Sequence, residues 1–255
     1  MSGSAHTPGA DLLIPADTPV HHAQPQCKVA ATLVFVFAVA CTPRGVWWPY
    51  LGYALVLLAI AFYAEIPIGV LLRRLVIEVP FVLFVVLLPF LGEGPYVHGL
   101  SVPGLVSAGT ILLKASFGLL ATGVLAATTP LPEVITGLER LRVPRIFTAV
   151  AGFMVRYVDV LVGELARLRT ARACRAGDAR WLWQARDVAT SVGMLFVRAF
   201  ERGERVFVAM TARGYTGQLP DALTGRAAPL STWLLSAIAP LCAASLSITA
   251  WVVHA

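Results

Sequence analysis

The residues with the most chemistry to offer are arginines. The chain has two lysines, Lys28 and Lys114; the rest of its positive charge is arginine, mostly after Arg140. A guanidinium offers planar, multi-donor contacts to carboxylates and carbonyls. One such group stands in Met210-Thr211-Ala212-Arg213-Gly214-Tyr215, where a helical pattern meets a glycine stop. This is chemistry for gripping another protein surface; the plainer alternative is a solvated helix face. Hydrolysis of ATP through a phosphate-binding loop is excluded, because neither lysine follows a glycine as Gly-Lys-Ser/Thr requires. No Ser-His-Asp or His-Glu constellation is visible. Cys27, Cys41, Cys174 and Cys242 form no Cys-x-x-Cys pair, so neither a metal site nor a disulfide framework is expected. His21-His22 reads as part of a solvated tail, and no cofactor is implied. Lys114 is the remaining candidate. It lies mid-way along an apolar run, where a charge is costly unless paired or wetted. It therefore stands as an intramembrane functional residue, with a snorkelling side chain as the alternative.

The elements that must position these groups are mostly apolar. Of 255 residues 58% are hydrophobic and only 13% charged, which excludes a soluble domain of this size. Residues 1–26 are Pro-, Ala-, Asp- and His-rich, without the hydrophobic run of a signal peptide, and are expected to be disordered. Apolar runs then fall at Val29–Cys41, Val46–Ala64, Leu75–Leu91, Leu105–Thr128 and Leu230–Val253. The fold class is therefore all-α. It is a polytopic membrane protein of about five spans, four in residues 27–129 and one in 230–255, with an amphipathic insert at 130–229 between the fourth and fifth. Arg73-Arg74 follows the second run, the 92–104 loop has no Lys or Arg, and the insert has many. The positive-inside rule then puts the N-terminus and the insert in the cytoplasm and the C-terminus outside, with Arg44 the one violation. Glu78 lies about a turn inside the third run. A Glu78–Lys114 pair is not expected, on the argument that the two lie at different depths.

The insert reads as three helices. Glu133–Leu141 is short and amphipathic, and Pro144 starts the next. From Pro144 to Arg175, Ile146, Val150, Phe153, Met154, Tyr157, Leu161, Leu165 and Leu168 recur in threes and fours. Gly177-Asp178 is the turn. A second tract runs from Trp181 to Gly214, apolar at first and charged from Glu201. If it were one straight helix, Arg175 and Arg213 would stand roughly 45 Å apart. A kink is therefore expected between Arg198 and Gly203.

These residues resemble a family. Thr128-Thr129-Pro130, Leu138-Glu139-Arg140-Leu141-Arg142-Val143-Pro144 and Glu201-Arg202-Gly203-Glu204-Arg205 through Ala212-Arg213-Gly214-Tyr215 are similar to the transmembrane T component of energy-coupling-factor transporters, in particular its cobalt-transport branch. The similarity covers residues 28 to 252. It implies a non-catalytic subunit of an ATP-driven importer, whose two cytoplasmic helices end in Ala-Arg-Gly-type motifs. The second motif, Ala212-Arg213-Gly214, matches as it stands. For the first, Cys174-Arg175-Ala176 is the nearest form and Ala171-Arg172-Ala173 a rival. The implied partners are a cytosolic ATP-binding dimer, which Arg175 and Arg213 would grip, a substrate-binding membrane subunit and the lipid bilayer, and no nucleic acid. Metal ligands would lie in another subunit. Vitamin uptake by the same kind of subunit, a secondary transporter, and a membrane anchor for another partner are the alternatives.

Overall fold

The computed structural model describes residues 18–87, 89, 96–97, 100–176, 185–215 and 229–254. They fall into two units. One lies within Leu12–Leu141 and Arg226–Ala255, the other within Arg142–Gly225.

The first unit is built of apolar helices. Its elements are α1 (Pro19–His22), α2 (Pro25–Cys41), α3 (Trp48–Tyr63), α4 (Ile68–Leu75), α5 (Val79–Val85), α6 (Val102–Thr128), α7 (Leu131–Arg140) and, after the second unit, α10 (Leu230–His254). A two-residue antiparallel ribbon, β1 (Tyr96–Val97) with β2 (Leu100–Ser101), leads into α6. Thr18, inside the segment expected to be disordered, is buried, and its hydroxyl bonds His21 Nδ1 at 2.7 Å. His21 thus belongs to a folded turn rather than a solvated tail.

Helix α2 is the centre of this unit and packs on α6, α7 and α10. Phe35, Ala38, Val39, Tyr50, Tyr53, Leu57, Ala121 and Ala243 form its core. Tyr53 is fully buried and meets Phe35 edge-on at 5.9 Å between ring centroids. Tyr50 stacks on Phe117 at 6.0 Å. Alanines at Ala121, Ala127, Ala243 and Ala250 let helices approach without a hydrophobic driving force from water. Phe37, Leu51, Leu55 and Phe62 face outward, as lipid-facing residues do.

The third apolar run differs from its expected single helix. Its described part is α4, a 3₁₀ turn at Val76–Glu78, and α5. Pro80, at the start of α5, supplies no N–H for an α-helical bond to Val76, and the chain tightens there into 3₁₀ geometry. Among the described residues three helical stretches are long and apolar enough to cross a bilayer: Val102–Thr128, Arg145–Ala171 and Leu230–Val253. Helices α2 and α3 have 17 and 16 residues. At 1.5 Å per residue α2 is about 26 Å long, short of the ~30 Å hydrocarbon core.

The second unit is a pair of long helices, α8 (Arg145–Ala176) and α9 (Ala185–Ala212). They meet where the Arg198 guanidinium donates to Glu164, which Arg167 also contacts at 3.3 Å. Between Arg198 and Gly203, where a kink is expected, α9 is continuous α-helix with no irregular turn. Gly203 touches nothing that would wedge the helix open. Its neighbours are good helix formers, and Glu201 and Arg205 pair at 3.9 Å one turn apart.

Candidate functional site

The Ala212-Arg213-Gly214 motif is the end of α9, and its geometry follows from the glycine. Gly214 takes φ +86°, a left-handed conformation that costs a residue with a Cβ about 1–2 kcal/mol. That turn brings the Tyr215 N–H to the Met210 carbonyl and the Gly214 N–H to Thr211, both at 3.0 Å. The two bonds are the paired closure of a Schellman cap, with Arg213 as its C-cap residue. Ala212, Arg213 and Gly214 are all exposed. The negative end of the helix dipole lies at Arg213 and favours its charge there. Upstream, Glu201, Glu204, Arg205, Val208, Ala209 and Ala212 line a shallow groove along the same helix. Among the described residues Arg213 makes no ion pair. The arrangement offers an uncommitted, multi-donor cation at the tip of a rod.

Cys174-Arg175-Ala176 are the last three residues of α8, and Arg172 lies one turn earlier. Cys174 is exposed. The expected turn at Gly177-Asp178 lies outside the described residues. Helix α9 has 28 residues, so Arg213 stands about 42 Å along the rod from its first residue. Arg175 and Arg213 stand at the C-terminal ends of α8 and α9, and the connection between those helices lies outside the described residues.

Lys114 is committed to other groups. Its Nζ donates to the carbonyls of Ala40 at 2.8 Å and Thr42 at 2.7 Å. These belong to the C-terminal end of α2. The Trp251 indole N–H takes the Cys41 carbonyl at 2.8 Å, and the Thr42 hydroxyl reaches Ala38 at 3.2 Å and Tyr53 at 2.9 Å. The last carbonyls of a helix lack intrahelical partners, and here Lys114 and Trp251 supply the donors. Glu78 bonds Ser116 Oγ at 2.8 Å instead of Lys114. Depth does not separate the two, since Ser116 is only two residues from Lys114. The pair fails because residues two apart on a helix point about 200° apart.

Sequence reasoning missed three buried polar groups. Arg74 donates to the Gly123 carbonyl rather than standing in a loop. Glu78 is 8% exposed. Lys28 Nζ donates to the carbonyls of Thr128 at 3.0 Å and His21 at 3.1 Å. The residue types were visible, but partners 49 and 100 positions away were not. The pairing of Glu164 with Arg198, 34 positions apart, was hidden in the same way. Among the described residues no three His, Cys, Asp or Glu side chains come together as metal ligands.

Comparison with known proteins adds the family. The family model of CbiQ, described as cobalt transport protein, matches residues 16–222. A putative fused cobalt transport protein CbiMQ of Methanocorpusculum labreanum is 29% identical over 147 residues, covering 57% of this chain and 24% of that protein. The cobalt transport protein CbiQ of Rhodobacter capsulatus is 33% identical over 129 residues, 49% of this chain and 52% of that one. This chain thus spans a quarter and about half of the length of these two relatives. The energy-coupling factor transporter transmembrane protein EcfT of Heliobacterium modesticaldum is 28% identical over 221 residues, covering 80% of this chain and 82% of that protein.

Proposed function

The chain belongs to the CbiQ family of multi-pass membrane transport components, and from that premise we propose that it is the non-catalytic coupling subunit of an ATP-driven importer. In this reading α8 and α9 lie on the cytoplasmic side and engage a dimer of ATP-binding subunits. Arg213 inserts its guanidinium into a groove of one ATP-binding subunit, and Arg175 addresses the other. The observation that carries the reading is the C-cap placement of Arg213, an exposed cation at the end of an uninterrupted rod. The two motifs end separate helices, α8 and α9, which suits two points of contact on a dimer of ATP-binding subunits. A charged group that enters a partner's groove and meets a carboxylate there gains a charge-assisted bond. A continuous helix passes the closing of the ATPases along its length.

The cargo we propose is cobalt, held by ligands in a separate substrate-binding membrane subunit. Vitamin uptake is the second reading, favoured by the longer match to the energy-coupling factor relative. Co-purification tests the core of the proposal. The chain expressed with its partners should retain an ATP-binding subunit, and hydrolysis should appear only in that complex. Robust turnover by the purified chain alone, or a complex without a nucleotide-binding partner, would contradict it. Uptake of radiolabelled Co²⁺ by the complex separates the two cargoes.

A further inference from the structure

The ends of α2, α6 and α7 meet in one joint. Lys28, 8% exposed, lies in the first turn of α2. Its Nζ bonds the carbonyl of Thr128, the last residue of α6, and the carbonyl of His21 in α1. Thr128 and Thr129 are themselves buried, so the exit of α6 is enclosed. The ammonium meets the negative end of the α6 dipole there. On its other side the same stretch of α2 is pressed by α7. A Cβ on Gly137 would fall 3.0 Å from the carbonyl carbon of Pro25 and 3.1 Å from the backbone nitrogen of Gln26. Those are backbone atoms, which cannot swing aside as a flexible side chain would. Gly137 is interior to α7, where glycine weakens a helix, and it stands where α7 lies close against the backbone of α2. Residues 141–144 then lead directly into α8.

We propose that Lys28 and Gly137 are positioning residues for energy coupling. They fasten α7 to the start of α2 and the end of α6, so that displacement of α7 is delivered to the helix at the centre of the membrane unit. This rests on the coupling reading above. A loose α7 would absorb the movement of the rods; a fastened one passes it on.

The test uses the whole complex in proteoliposomes, with Gly137→Ala, Lys28→Met and Lys28→Arg. ATPase association and ATP hydrolysis should stay near wild type. Uptake of radiolabelled Co²⁺ per ATP hydrolysed should fall about tenfold in Gly137→Ala and Lys28→Met, within the usual range of coupling between sites. Lys28→Arg, which keeps a buried donor, should fall less. An unchanged ratio of uptake to hydrolysis overturns the proposal, as does a loss of uptake matched by an equal loss of assembly. A second measurement needs neither these variants nor a known cargo. Spin labels at Leu131 on α7 and Leu33 on α2 should keep one distance in nucleotide-free and ATP-bound complexes, and a distance that changes with nucleotide overturns the proposal. A wild-type complex that never binds an ATPase fails the coupling reading itself, a result distinct from either of these.

Discussion

Lys114 sits 2.7 Å from the Thr42 carbonyl, and this contact ends α2 inside the membrane unit. An ammonium and a helix C-terminus attract each other, and the bond satisfies an acceptor that lipid cannot. The residue that looked costly is what permits a short helix. Lys114→Met should lower stability by about 1.5–3 kcal/mol, the usual worth of a hydrogen bond to a charged group. Thermal unfolding in detergent measures it, and ATPase association should survive at temperatures where the variant is folded. An unfolding temperature equal to wild type would contradict this role.

Gly214→Ala keeps Arg213 but places a Cβ at φ +86°. The expected cost is about 1–2 kcal/mol locally, met by fraying the cap. Glu65 closes α3 in the same way at φ +52°, with Ile66 N–H on Ala61 and Glu65 N–H on Phe62. The left-handed turn is therefore tolerable without glycine when the surroundings hold it. At Gly214 nothing lies near enough to do so. Binding of the ATP-binding subunit should weaken in Gly214→Ala and be better retained in Gly214→Asn. Equal affinity in all three proteins would show that the cap does not orient Arg213.

The Glu164–Arg198 pair should contribute little to stability. Arg198 is half exposed, and an exposed pair is worth about 0.2–1 kcal/mol. A double-mutant cycle with Glu164→Gln and Arg198→Gln reads the coupling energy directly. A value well above that range would mean that the pair is shielded in the assembled transporter.

Orientation is testable with cysteine labelling in a background lacking Cys27, Cys41, Cys174 and Cys242. A cysteine at Val97 should react with an impermeant reagent from outside, and one at Asp178 should not. The Arg145–Ala171 stretch is apolar enough to span a bilayer. If it does, Asp178 moves outside and labels, and the cytoplasmic hairpin is refuted.

What the sequence made legible was periodic. The starts and ends of α6, α7, α8 and α10 follow from apolar spacing and prolines, each within a few residues. The Ala212-Arg213-Gly214 cap was readable because the glycine that closes it is adjacent in the chain. Long-range polar contacts were not readable. Nothing in the residues around Lys28, Arg74 or Lys114 names a carbonyl on another helix as partner. No irregular turn interrupts α9 between Arg198 and Gly203, because local propensity from Glu201 to Arg205 favours continuous helix.

The central claim is that Arg213 grips an ATP-binding subunit, and the most direct measurement is the affinity of that subunit for wild type, Arg213→Ala and Arg213→Lys. Arg213 is exposed and outside the packed unit, so both variants should express and fold normally. Loss of a desolvated charged contact costs about 2–5 kcal/mol, so Arg213→Ala should bind at least about thirtyfold more weakly. Arg213→Lys should recover only part of this, because lysine lacks the planar fork. Adding Arg175→Ala should weaken binding further. Wild-type affinity and uptake in the Arg213→Ala, Arg175→Ala double variant would contradict the account.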